Sequence, residues 1–180
     1  MKKKLMMAVV FCLLICMLCG CSPKVEQSMS PEQLMALSDN ELFETVYLRL
    51  INTPNDKETA LERIPPACWT VYVLNMYDME IQNGGLCQFF VNPSRALAPH
   101  VAECLEAVGA QEHLQLFSGF IESNGVDLNN LSFFLLQDVE EFAEQAKRYD
   151  FESFDDSYYD LPPLYDYIVA YIRANITEFS

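Results

Sequence analysis

The side chains best placed to do chemistry lie within one short stretch, Glu80-Ile81-Gln82-Asn83-Gly84-Gly85-Leu86-Cys87-Gln88-Phe89-Phe90-Val91-Asn92. Glu80, Asn83, Gln88 and Asn92 are polar groups among apolar neighbours, and polar groups in a core must find hydrogen-bond partners. One reading is a structural clasp, in which these side chains satisfy the orphan backbone groups at two helix ends beside Gly84-Gly85. The sharper reading points Glu80 and Gln88 into a cleft that binds a small polar ligand or serves an enzyme. The glycine pair predicts a helix stop in which Asn83 and a glycine take left-handed geometry. Phe89 and Phe90 then enter the core.

The remaining candidates are weaker. His100 and His113 are the only histidines and form no His-x-x-x-His pair, so no zinc site is expected. Both read as ordinary helix histidines, with His113 beside Glu112 on the surface. A Cys87 pairing with His100 or His113 stays open, because catalytic partners need only meet in space. Cys68, Cys87 and Cys104 lie in apolar contexts with no Cys-x-x-Cys spacing. They read as buried thiols, with one disulfide among them as the alternative. No glycine-rich phosphate loop, dinucleotide fingerprint or nucleophile elbow is present. No cofactor, no metal and no catalytic residue is assigned, and the chain reads as non-enzymatic.

The elements that position these residues read as helices throughout. Ser30-Pro31 and Ser38-Asp39-Asn40-Glu41 carry helix-start signals, and Leu42, Phe43, Val46, Tyr47, Leu50 and Ile51 follow at helical spacing. From Pro66 to Asn83 apolar residues cover nearly the whole circumference, as in a helix buried inside a bundle. Further helices are predicted over 94–108, 110–123, 138–149 and from Leu164 to about Asn175. Residues 127–137 read as a loop with a helical turn. The expected fold is all-α: a single multi-helix bundle whose buried central helix ends at the Asn-Gly-Gly turn.

The N-terminus supplies an address. Lys2, Lys3 and Lys4 precede an apolar run, Leu5 to Cys19, which is shorter than the ~20 residues of a membrane span. Leu18-Cys19-Gly20-Cys21 resembles a lipobox, which makes Cys21 the lipidation site. The expected organisation is a lipoprotein signal peptide over 1–20, a tether over 21–30 and a helical domain over 31–180. An extracytoplasmic protein, lipid-anchored to a bacterial membrane, follows.

Charge narrows the partners. Of 180 residues 26 are acidic and 11 basic, a formal charge of −15, and loss of the three signal lysines takes it to −18. Such a surface repels nucleic acid and attracts basic proteins. Ten acids fall between Asp138 and Asp166, among them Asp138, Glu140, Glu141, Glu144, Asp155 and Asp156. They read either as solvated helix faces or as a display for a basic partner. Acids three or four apart on a helix stand about 5–6 Å apart, a coarse imitation of the phosphates of one DNA strand, which advance about 3.4 Å per residue.

The Glu80 to Asn92 stretch resembles the bacterial DNA-mimic protein family, which shows a Glu, an Asn-Gly-Gly, a Gln-aromatic-Phe and an Asn in this order. The similarity continues through Ala107-Val108-Gly109-Ala110, Phe154-Asp155-Asp156-Ser157-Tyr158-Tyr159 and Ala170-Tyr171-Ile172-Arg173, covering about Ser38 to Phe179. The resemblance implies a small acidic all-helical domain, self-association as a homodimer, and, for the namesake, binding to DNA-binding proteins in place of DNA. An exported, lipid-anchored chain departs from that cytoplasmic activity.

Overall fold

Helix-start chemistry organises the N-terminal part of the fold. In the computed structural model, which describes residues 29–52, 64–135, 141 and 147–180, Ser30 caps α1 (Pro31–Met35) with a capping box. Its Oγ accepts from Gln33 N at 3.3 Å, and Gln33 Oε1 accepts from Ser30 N at 2.8 Å. Ser38 and Glu41 repeat the exchange at the start of α2 (Asp39–Asn52). The signal peptide, Cys21, tether residues 21–28, Asp138, Glu140 and Glu144 lie outside the described residues.

The long central helix, α3 (Pro66–Val91), packs against α2, α4 (Ala98–Ala107), α6 (Phe151–Asp160) and α7 (Leu164–Ala174). Being surrounded explains its composition: Ala67, Val71, Val73, Leu74, Tyr77 and Ile81 are all at most 2% exposed although they point in several directions. A short 3-10 turn, Pro93–Leu97, leads from α3 into α4, and α5 (Gln111–Asn124) follows. Gly125, in left-handed geometry at φ 61°, closes α5. A 3-10 turn at Ser132–Phe134 sits in the loop expected there, and another at Ile176–Glu178 ends the chain. The fold is all-α, with seven α-helices and no strand among the described residues. No helix among them is long and apolar enough to cross a membrane.

Two differences from the sequence reading stand out. The segment 151–160, outside every predicted helix, forms α6, capped by Asp150 Oδ1 on Ser153 N and apolar at Phe151, Phe154 and Tyr158. The 94–108 helix divides into the Pro93–Leu97 turn and α4.

Phe89 and Phe90 are fully buried, as expected of a core plug. Phe90 stacks on Phe134 at 4.7 Å, and Phe89 meets Tyr77 edge-on at 5.2 Å. The chain end is tied back by Arg49 Nη1, which donates to the Phe179 carbonyl at 2.8 Å. Arg173 fastens α7 to the α1–α2 junction through Asp39 Oδ1 at 2.6 Å and the Leu37 carbonyl at 2.9 Å.

Candidate functional site

The break inside α3 falls where the glycine pair predicts it, but the backbone solution differs. Asn83 stays out of left-handed geometry, since no non-glycine residue among those described has a positive φ. Gly84 has φ −168°, and Gly85, at φ 79° and ψ 178°, makes the reversal that side chains disfavour. Gly85 also lies against α6. A Cβ there would overlap the Asp155 carboxylate.

Groups from α6 serve the backbone on both sides of the break. Asp155 Oδ1 accepts from Leu86 N at 2.8 Å, capping the resumed helix. Tyr159 Oη donates to the Ile81 carbonyl at 2.8 Å, the carbonyl whose usual i+4 donor is the displaced Gly85. Tyr158 Oη donates to Asp78 Oδ1 at 2.7 Å. Asp155 is therefore part of the packing against α3, and this corrects its assignment to the acidic display; Asp156 and Glu141 remain exposed. Burial, joined by repulsion from Asp156, pushes the Asp155 carboxyl above its ordinary range, and the Leu86 N–H only partly offsets this.

Glu80 is the centre of the polar cluster. It is 8% exposed, and both oxygens are taken by its own chain. Oε2 accepts from Gln88 Nε2 and Asn92 Nδ2, each at 2.8 Å, and Oε1 accepts from Ser94 Oγ at 2.7 Å. Burial by itself would raise this carboxyl, but the hydrogen bonds from Ser94, Gln88 and Asn92 prevail and hold it below the ordinary glutamate range. The donors come from the resumed helix and the turn beyond it, so the carboxylate fixes the path of the chain after the break. The structure joins Glu80, Gln88 and Asn92 and adds Ser94, which sequence reasoning passed over. Asn83 is exposed and outside the cluster. The only hint of Ser94 was its position two residues past Asn92.

His113 corrects the expectation of a surface histidine. It is 1% exposed, and its Nε2 lies 2.8 Å from the Pro162 carbonyl, an acceptor only, so Nε2 carries the proton. Its ring meets Tyr158 edge-on at 4.9 Å, while Nδ1 and the buried Tyr77 Oη have no hydrogen-bond partner among the described residues. His100 is exposed against Trp69. Cys68, Cys87 and Cys104 are buried free thiols. Burial pushes each up to about 11, which suppresses the nucleophilic thiolate. No three His, Cys, Asp or Glu side chains among the described residues are grouped to hold a metal ion.

Fold and site together define a small all-helical domain organised by a saturated buried carboxylate beside a glycine break. A family model described as DMP19-like protein matches residues 62–175, well over half of the 180-residue chain, and the chain belongs to that family. The match spans the break, the Glu80 cluster and α6. No curated protein and no solved structure matches the chain.

Proposed function

We propose that the domain is a protein-binding module whose acidic surface takes a basic protein or peptide, and that Cys21 anchors it by lipid outside the cytoplasm. The observation that carries the binding reading is the fate of the cations. Among the described residues the basic side chains are Arg49, Arg95, Lys147, Arg148 and Arg173. Arg49 and Arg95 donate to backbone carbonyls, Arg148 lies 3.8 Å over the Phe133 ring, and Arg173 holds Asp39. Exposed acids such as Glu44, Glu103, Glu106, Glu122, Asp156 and Asp160 far outnumber them. Charge in such excess is available to an outside partner.

The alternative, a small-ligand or enzymatic pocket around Glu80 and Gln88, loses support from the same geometry. Glu80 already has three donors, and a ligand would have to displace them. The N-terminal signal and lipobox support the address and weigh against the DNA mimicry that the family resemblance implies.

Two measurements test this. Binding of a Lys/Arg-rich peptide is expected to weaken steeply between about 0.1 M and 1 M salt, as the screening length falls from about 10 to 3 Å; affinity independent of salt refutes the electrostatic surface. Metabolic lipid labelling and fractionation of wild type and Cys21→Ala test the address. A soluble, unlabelled wild-type chain overturns it and restores DNA mimicry as the reading.

A further inference from the structure

Beyond the Glu80 clasp, the turn that it fixes carries Arg95 into the wall of an open groove of about 520 Å³. That volume falls within the ~300–1,000 Å³ usual for ligand sites. Pro93 and Pro99, around the start of α4, and Leu128, Leu131 and Leu135, from the loop after α5, line it. Leu135 is 52% exposed.

Arg95 is held in place from behind. Its Nη1 donates to the Val91 and Asn92 carbonyls, both at 2.9 Å, while Asn92 and Ser94 are bonded to Glu80. The other guanidinium nitrogens have no such partner among the described residues. A fork so fixed presents a planar pair of donors at little further entropic cost, and that geometry matches a carboxylate. Asn130 reinforces this polarity: its Oδ1 accepts from Ser132 N and Oγ, leaving its amide N–H groups for a ligand. Asp127, next in the chain to the lining residue Leu128, turns its Oδ1 onto Asn129 N at 2.9 Å.

We infer that this groove binds the C-terminal end of a short apolar peptide, with the terminal carboxylate on Arg95 and apolar side chains against Leu128, Leu131 and Leu135. Charge complementarity selects the carboxylate, since Arg95 is a fixed cation facing a groove on an otherwise acidic molecule. The open form and the Asn130 amide donors suit a peptide better than an enclosed small molecule. Glu80 then acts as a positioning residue, holding the turn that aims Arg95.

The test is titration of the full ¹⁵N-labelled chain with acetyl-Leu-Val-Leu, its carboxamide and, separately, a medium-chain fatty acid. The free acid should move the Arg95, Asn130, Leu131 and Leu135 resonances saturably, and the carboxamide should bind at least about tenfold more weakly. Arg95→Lys keeps the charge but loses the fork, and should weaken the acid similarly. Because that change also touches the Val91 and Asn92 carbonyls, Leu135→Asp provides an independent check at an exposed position. It should abolish binding with an unchanged melting temperature. No saturable shift at millimolar peptide, equal binding of acid and carboxamide, unchanged binding by Leu135→Asp, or binding of the fatty acid alone would each overturn the assignment.

Discussion

Asp155 on α6 and Leu86 on α3 are joined by a 2.8 Å hydrogen bond across the one place where the central helix changes course. The residue before Leu86 is Gly85, whose positive φ and missing Cβ admit the Asp155 carboxylate. The break and the helix that packs on it are thus one device. Gly85→Ala should cost about 2–4 kcal/mol, combining left-handed strain with a displaced α6. Urea unfolding with near-UV circular dichroism checks this, and a midpoint unchanged from wild type would contradict it.

Glu80→Gln should be destabilising despite its near-identical shape. The amide can keep its oxygen on Gln88 and Asn92 only by turning its NH2 to Ser94, whose hydroxyl must then accept instead of donate, and all three bonds lose the strength that the charge gives them, a loss of about 1–3 kcal/mol. The pH dependence follows from the depressed carboxyl. Because the folded-state value lies below the unfolded one, near 4.5, the stabilisation is fully present above that pH. It disappears as pH falls through the lower folded value. Glu80→Gln should therefore be most damaging near neutrality and lose its effect in acid, as measured by urea midpoints across pH.

Asp155 should show the opposite sign. Its folded carboxyl lies above the unfolded one, near 3.8, so its ionisation opposes folding, and the opposition eases as pH falls through the raised value. Asp155→Asn keeps an oxygen for Leu86 N–H without the charge. It should leave stability unchanged or higher at neutral pH and remove the pH dependence that lies between the unfolded value, near 3.8, and the raised folded one, whereas Asp155→Ala, which removes the cap, should destabilise by about 1 kcal/mol.

Tyr77→Phe removes a fully buried hydroxyl that has no partner among the described residues, while leaving the ring contacts to Phe89, Phe117 and Tyr158. The melting temperature should hold or rise, with a gain of up to about 1–2 kcal/mol. A clear loss of stability would show that the hydroxyl has a partner, such as an ordered water.

Cys68, Cys87 and Cys104 should resist alkylation in the native protein at pH 8 and react fully in urea, because burial both shields them and raises them to about 11. Peptide-resolved mass spectrometry distinguishes these sites from the N-terminal cysteines. Rapid native labelling of Cys87 would be the contrary result.

Local chemistry by itself determined the helical class, the start signals at Ser30 and Ser38, the break at Gly84-Gly85, and the burial of Phe89 and Phe90. These follow from capping, glycine freedom and apolar spacing, all of which act within about two helical turns. The Phe151, Phe154, Tyr158 spacing of three and four also marked α6, although its acids drew the reading toward a charged surface. Tertiary structure alone decided that Asp155 faces Leu86 instead of solvent, that His113 is buried on the Pro162 carbonyl, and that Ser94 completes the donors on Glu80. Two of these contacts join residues 69 and 49 positions apart in the chain. No local pattern encodes such pairs, because a polar side chain finds its partner only after packing has taken water away from both.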